Sequence, residues 1–403
     1  MTKTNQKIPV GWSVKKLGEI GTFVSGGTPD TEKPEYWNGD IVWLTPSEIT
    51  KLKTRFVSDS ERKITKLGLK NSSAVLLPKN SLIICTRATV GDCCINTKEV
   101  STNQGFKNLI PNNNCVDFLY YLISIHKNDL IRRACGSTFL EISKHDIEKL
   151  KYVFPPLAEQ EKIAEILSCW DEGIEKLSAL IEKKKLQKKA LMQKLLTGKH
   201  RLKGFSTPWH EVRLGDICLL ISGNAFSSDD FQVTGIPLIR ISNIDGKNII
   251  LDEDTVYLPN DFLDKYSNFI IQPKDLLLAM SGATTGKMGV NKYFFPMLLN
   301  QRVCIIRANK TIQDFINQYL LQYNNKILKM SYGGAQPNIG SADIKKIKLY
   351  LPSSLAEQKA IADILSKADA EIELLNKKLA AFNLEKKAMM QKLLTGQIRV
   401  KVN

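Results

Sequence analysis

Gly282–Lys287 reads GATTGK, close to the glycine-rich turns that cradle phosphates. That chemistry needs four residues between the glycines and a Ser or Thr after the lysine. Here three residues intervene and Met288 follows, so the stretch reads as a turn. Pro29–Trp37, PDTEKPEYW, scatters carboxylates without the Asp/Glu-x-Lys spacing of a metal-dependent nuclease, and reads as a surface loop. The eight cysteines include no C-x-x-C pair, and only Cys93 and Cys94 are adjacent. Such spacing fits buried free thiols in a reducing cytosol rather than a zinc site or disulfide frame. His126, His145, His200 and His210 form no i,i+4 ligand pair. No hydrolytic or metal centre is legible in these residues.

The remaining chemistry is charge. A formal +16 makes the chain attractive to polyanions, nucleic acid before anionic membrane. The sequence offers no apolar run of the roughly 18 residues a spanning helix needs. Its opening, MTKTNQKIPVGWSVKKLGEI, lacks the apolar block of a secretory signal, so a cytoplasmic protein without membrane contact is expected. At 403 residues, more than one domain is expected.

The positioning elements come from an internal repeat. KKALMQKLLTG (Lys188–Gly198) recurs as KKAMMQKLLTG (Lys386–Gly396), and LAEQEKIAEIL (Leu157–Leu167) as LAEQKAIADIL (Leu355–Leu365), each 198 positions apart. Between them Ile163, Leu167, Trp170, Ile174, Leu177, Ile181, Leu191 and Leu195 step by threes and fours, and Ile361, Leu365, Ala368, Ile372, Leu375, Leu379, Phe382, Met389 and Leu393 repeat the pattern. A 3.5-residue period over about five heptads is a coiled-coil seam. Lys184 and Lys188 interrupt the first seam and Lys386 the second.

Pro155-Pro156 and a Ser354/Glu357 capping box mark the starts; Thr197-Gly198 and Thr395-Gly396 mark the ends. FPPL (Phe154–Leu157) echoes the Pro-Pro element of amino-methyltransferases, but no Asn or Asp precedes it, and its place at a helix start accounts for it. Each helix should run about 40 residues, roughly 60 Å. The two seams are expected to pair antiparallel.

The segments ahead of the helices also correspond. WSVKKLGEI (Trp12–Ile20) matches WHEVRLGDI (Trp209–Ile217), and TRATVGDCCIN (Thr86–Asn96) lies over SGATTGKMGVN (Ser281–Asn291). Short apolar runs, AVLLP, SLIICT, IPLIRI and DLLLAM, read as strands. The expectation is an α+β chain in which two similar globular domains (1–153 and 200–351) alternate with two long helical regions (154–199 and 352–403). The helices form an antiparallel coiled coil, and the whole is a pseudo-two-fold tandem repeat.

The P-x-W-x-x-x-x-L-G-D/E-I opening of each domain, GGAQPNI, PPLAEQ and KKALMQKLLTG together resemble the specificity subunit of type I restriction-modification systems, over the whole chain. The first opening departs slightly, because Pro9 is displaced. The resemblance implies a non-catalytic, sequence-specific DNA-binding subunit in which two target-recognition domains read a bipartite site in double-stranded DNA, with the coiled coil setting the spacer. It further implies docking of two methyltransferase subunits and of restriction subunits, which would carry S-adenosylmethionine, ATP and Mg2+; this chain would hold no cofactor. The alternative is a basic coiled-coil DNA-binding scaffold without sequence specificity.

Two domains reading different half-sites should share scaffold positions and differ at base-reading ones. Ser25-Gly26/Ser222-Gly223, Asn103-Gln104/Asn300-Gln301 and Gly91/Gly286 therefore look architectural. The candidate DNA-binding residues are Thr45, Ser47, Arg87, Thr89 and Lys107 in the first domain. In the second they are Arg240, Ser242, Asn243, Thr284, Lys287, Arg302 and Gln336. The lysine run Glu182–Ala190 is either a solvated face or a contact to spacer phosphates. Leu196 and Leu394, beside the seam, are the candidates for partner-subunit contact.

Overall fold

The computed structural model describes residues 8–136, 140–282, 284–323 and 338–402. The chain resolves into two compact units: Met1–Ser178 with Lys378–Asn403, and Ala179–Lys377. The two long helices, Leu157–Leu195 and Leu355–Leu394, run 39 and 40 residues. Each unit therefore comprises one globular domain plus a part of each helix.

In the first unit a five-stranded sheet is ordered Gly21–Ser25, Phe106–Pro111, Leu82–Cys85, Cys93–Asn96, Phe56–Val57. A second sheet is ordered Lys63–Ile64, Trp37–Leu44, Ser101–Thr102, the last pair parallel. The second unit repeats the plan. Cys218–Ser222, Val303–Ala308, Leu276–Ala279 and Met288–Val290 form one sheet; Val256–Leu258, Ile236–Ile239, Met297–Leu299 and Ile270–Ile271 form the other, again with one parallel pair. A short antiparallel ladder closes each domain beside its helix, Ser13–Lys16 with Lys151–Phe154 and Trp209–Arg213 with Lys348–Pro352.

Three expected strands are present within SLIICT, IPLIRI and DLLLAM. AVLLP is different: only Leu77 bridges, to Val100, and Val75 and Leu76 face outward. The repeated glycines are architectural for a steric reason. A Cβ at Gly26 would lie 1.9 Å from the Asn103 carbonyl oxygen, and one at Gly223 2.0 Å from that of Asn300.

Within each unit the helix segments run antiparallel. In the first, Asp171 pairs with Lys386, and Glu159 with Arg399. In the second, Lys184 pairs with Glu371 and Lys188 with Asp369, both at 2.6 Å, while Arg201 meets Glu357. Numbers rise along one segment as they fall along the other. Seam residues Ile163, Leu167, Leu177, Ile181, Ile361, Leu365 and Ile372 are buried, as the heptad pattern requires.

Candidate DNA-reading surfaces and the clamps beneath them

Trp12 and Trp209, the matching tryptophans of the two domain openings, anchor equivalent clamps. In the first unit the Trp12 indole donates to the Glu159 carboxylate (3.0 Å), and Arg399 grips the same carboxylate with Nε and Nη2 (2.6 and 2.8 Å). In the second, Trp209 donates to Glu357 (3.4 Å) and Arg201 supplies the two-pronged grip (2.7 and 2.8 Å). Both glutamates are buried, so they need this charge-assisted pairing. Only half of the expected capping box forms: the Glu357 backbone N–H donates to Ser354 Oγ (3.3 Å), while its side chain turns to Arg201 and Trp209. The adjacent glutamines tie helix to domain. Gln160 accepts from the Cys115 N–H (3.1 Å), and Gln358 from the Ile312 N–H (3.0 Å).

Gly198 and Gly396 close the helices, both at φ +71, and each abuts its tryptophan. A Cβ would sit 3.2 Å from Trp209 at one, and 2.4 Å from Pro9 and 3.4 Å from Trp12 at the other. The duplicated peptide is thus near-identical because each copy completes the same clamp. Leu196 and Leu394 are part of it. The structure corrects their expected exposure: both are at most 2% exposed and lie in the cores of their units, with Trp209, Leu214 and Ile361 around the first and Trp12, Leu17 and Ile163 around the second. The helix ends are covered by the domain as well as by the partner helix, so the apolar stripe there is wider than the seam.

The lysines that break the seam have partners on the equivalent aspartates. Lys188 meets Asp369, which also receives Gln318 Nε2 (2.8 Å) and lies 3.0 Å from Lys247. Lys386 meets Asp171, which also receives the Tyr121 hydroxyl (2.5 Å) and lies 3.5 Å from Arg55. Burial pushes the Asp369 carboxyl up, but the hydrogen bonds from Lys188 and Gln318 outweigh it and hold it below the usual carboxylate range.

The candidate reading residues gather at one end of each pair of sheets. In the first domain Pro46, Ser47, Arg87, Ala88, Asn103, Gln104 and Gly105 line one concavity. Thr45 caps the short helix Pro46–Ile49, its hydroxyl donating to Glu48 (2.8 Å). Arg87 is held by Glu141 through Nε (3.1 Å) and Nη2 (2.5 Å). Thr89 shares the Arg87 turn, its N–H bonded to the Arg87 carbonyl (2.8 Å). Lys107 lies beneath, 4.0 Å from Glu141, its pKa lowered by burial.

In the second domain Arg240 donates to the Asp254 carbonyl (2.9 Å), while Ser242, Lys287 and Arg302 are exposed. Thr284 donates to the Ile241 carbonyl (3.4 Å), and the Met280 N–H to the Arg302 carbonyl (2.9 Å), which joins these three turns. Asn243 is a correction. It is 2% exposed, its amide donates to Ile250 O and Thr255 Oγ1, and its oxygen accepts the Arg240 N–H (3.0 Å). Glu48 performs the same capping in the first domain, accepting the Thr45 N–H (2.8 Å). That shared place, three residues into a short turn, was the available signal. Gln336 lies outside the described residues.

Four thiols, Cys85, Cys94, Cys218 and Cys304, are buried; burial pushes that of Cys85 up to about 12, far from a nucleophile. Cys135 and Cys169 are exposed, so burial does not hold for every cysteine. Among the described residues no group of His, Cys, Asp and Glu is arranged to hold a metal ion, and no helix is long and apolar enough to cross a membrane.

A family model, the type I restriction modification DNA specificity domain, matches residues 9–187 and 207–383. The MjaIX specificity subunit of a type I restriction enzyme from Methanocaldococcus jannaschii is 27% identical over 416 residues, 98% of this chain and 95% of its own length. The MjaVIII specificity subunit of the same organism is 28% identical over 415 residues, with the same coverage. The crystal structure of the type I restriction-modification S subunit from M. genitalium shares the fold, with a TM-score of 0.61 at 18% identity over 97% of each chain. Matched twice, once for each repeat, the chain belongs to the type I restriction-modification DNA specificity family.

Proposed function

We propose that the chain reads a bipartite sequence in double-stranded DNA, one half-site per domain, with the paired helices setting the nonspecific spacer. The single observation that carries this reading is the gathering of polar side chains at the same strand ends of two domains built on one plan, with basic residues that stand at different positions in the two. Ser47 and Arg87 are there in one, Ser242, Lys287 and Arg302 in the other. Arginine suits guanine by bidentate pairing, and a serine hydroxyl can donate to or accept from a base edge.

The chain contributes no bond-making step in this proposal. Methyltransferase subunits, one for each equivalent face, bring S-adenosylmethionine; restriction subunits bring ATP and Mg2+; the assembly works in the cytoplasm. With Leu196 and Leu394 buried, the better-placed docking residues are Leu186 and Leu384, equivalent by the 198-residue offset and 66% and 70% exposed. Within the lysine run, Lys184 and Lys188 are engaged by Glu371 and Asp369, which leaves Lys183 and Lys189 facing outward for spacer phosphates.

The test is methylation mapping of genomic DNA from cells expressing this chain with its cognate methyltransferase. The proposal expects two short conserved blocks separated by a fixed gap, with one methylated adenine on each strand, in separate halves. A short uninterrupted motif defeats it.

A further inference from the structure

The first unit carries a basic cleft that the reading surfaces do not include. Asp129, Arg132, Arg133, Lys149, Leu150, Lys151 and Tyr152 line an open volume of about 690 Å³. Among the described residues none of Arg132, Arg133, Lys149 or Lys151 makes an ion pair, although all four are exposed. The one carboxylate present, Asp129, is engaged by His126 Nδ1 at 2.9 Å. At the floor, Tyr152 is 6% exposed, and its hydroxyl is buried without a hydrogen-bond partner. A buried orphan donor beside four cations outside any ion pair, with one carboxylate among them, is a site of net positive charge shaped for an anion. Its chemistry is that of phosphate and not of a base, because the Tyr152 ring is covered by His126, with centroids 4.4 Å apart, and offers no stacking face.

Among the described residues the second unit differs at two of these positions. Leu349 stands where the first unit has Tyr152, and Lys348, the counterpart of Lys151, is paired with Glu211 at 2.7 Å. The cleft is also tied to the first reading surface. Arg132 and Arg133 end the helix Lys127–Arg133; just beyond, Cys135 bridges Glu141 in both directions (2.9 and 3.0 Å), and Glu141 holds Arg87.

We propose that this cleft takes backbone phosphate of the DNA duplex beside the half-site read by the first domain. The inference rests on the DNA-reading proposal above.

The test compares the full chain, assembled with its methyltransferase, against the variant Arg132→Gln/Arg133→Gln/Lys151→Gln. Each binds duplexes with and without the mapped motif across a salt series. Each lost phosphate contact should lower the log–log salt slope by about 0.9. The expected result is a slope smaller by about one to two on both duplexes, an unchanged ratio between them, and recovery in Arg132→Lys/Arg133→Lys/Lys151→Arg. An unchanged slope overturns the proposal, and so does loss of methyltransferase assembly with the slope intact. A wild-type complex that does not discriminate between the duplexes defeats the sequence-reading proposal instead, while the slope comparison still decides the cleft.

Discussion

Replacing Lys188 by methionine should loosen the helix pair of the second unit and leave the first unit untouched. The Lys188 side chain is 14% exposed and that of Asp369 22%, so the pair is largely withdrawn from water. Breaking a fully buried pair costs about 3–5 kcal/mol through the stranded charge. Here Gln318 and Lys247 remain on Asp369 and some solvent reaches it, so about 2 kcal/mol is expected. That corresponds to roughly 30-fold faster opening. Hydrogen exchange resolves it by segment, which global unfolding of a two-unit chain would not. Amides in 179–195 and 355–377 should exchange roughly 30-fold faster in Lys188→Met. Those in 157–178 and 378–394, locked by Asp171 and Lys386, should not change. Lys189→Met, on an exposed neighbour, is the control. Equal effects from the two substitutions, or equal loosening in all four segments, would refute the reasoning.

Other substitutions separate scaffold from reader. Asn243→Ala should cost about 1–3 kcal/mol of stability by stranding buried hydrogen-bond partners, and leave the methylated motif unchanged; a changed motif would return Asn243 to the reading set. Arg87→Ala should alter the first half-site only, read by methylation mapping. Gly396→Ala, at φ +71 with Pro9 2.4 Å from the new Cβ, should lower the melting temperature, and Gly204→Ala, which meets nothing within 4 Å, should do so less. Acid should weaken the second unit through Asp369. Its pKa is depressed by folding, so its contribution is present above the unfolded carboxylate value and is lost as pH falls through the folded one. Asp369→Asn should flatten that part of the stability–pH profile; an unchanged profile would contradict it.

The repeat, the helix lengths and the glycine ends were legible because each is a local pattern. Heptad periodicity has no bearing on what covers a helix from outside, and the sequence reading of Leu196 and Leu394 failed for that reason: they sit one step off the seam, on the side that the globular domain closes. The seam lysines read as interruptions because their aspartates, Asp171 and Asp369, are far away in sequence, although the 198-residue offset links both members of both pairs. Asn243 shows a different limit. A polar residue that caps a turn from within has the same composition signature as one that faces solvent, and only the neighbours Ile250 and Thr255 separate them. AVLLP had the residues of a strand, but only Leu77 is paired.

The central claim is that antiparallel helices set the distance between two unlike readers. Inserting four residues after Leu177 and four after Leu375 tests it most directly. The insert adds about 6 Å, close to two base-pair steps, and a four-residue stutter unwinds the supercoil in the sense of the added DNA twist. Methylation mapping should then return both half-sites unaltered with a gap longer by about two base pairs. Altered half-sites across an unchanged gap would contradict the account.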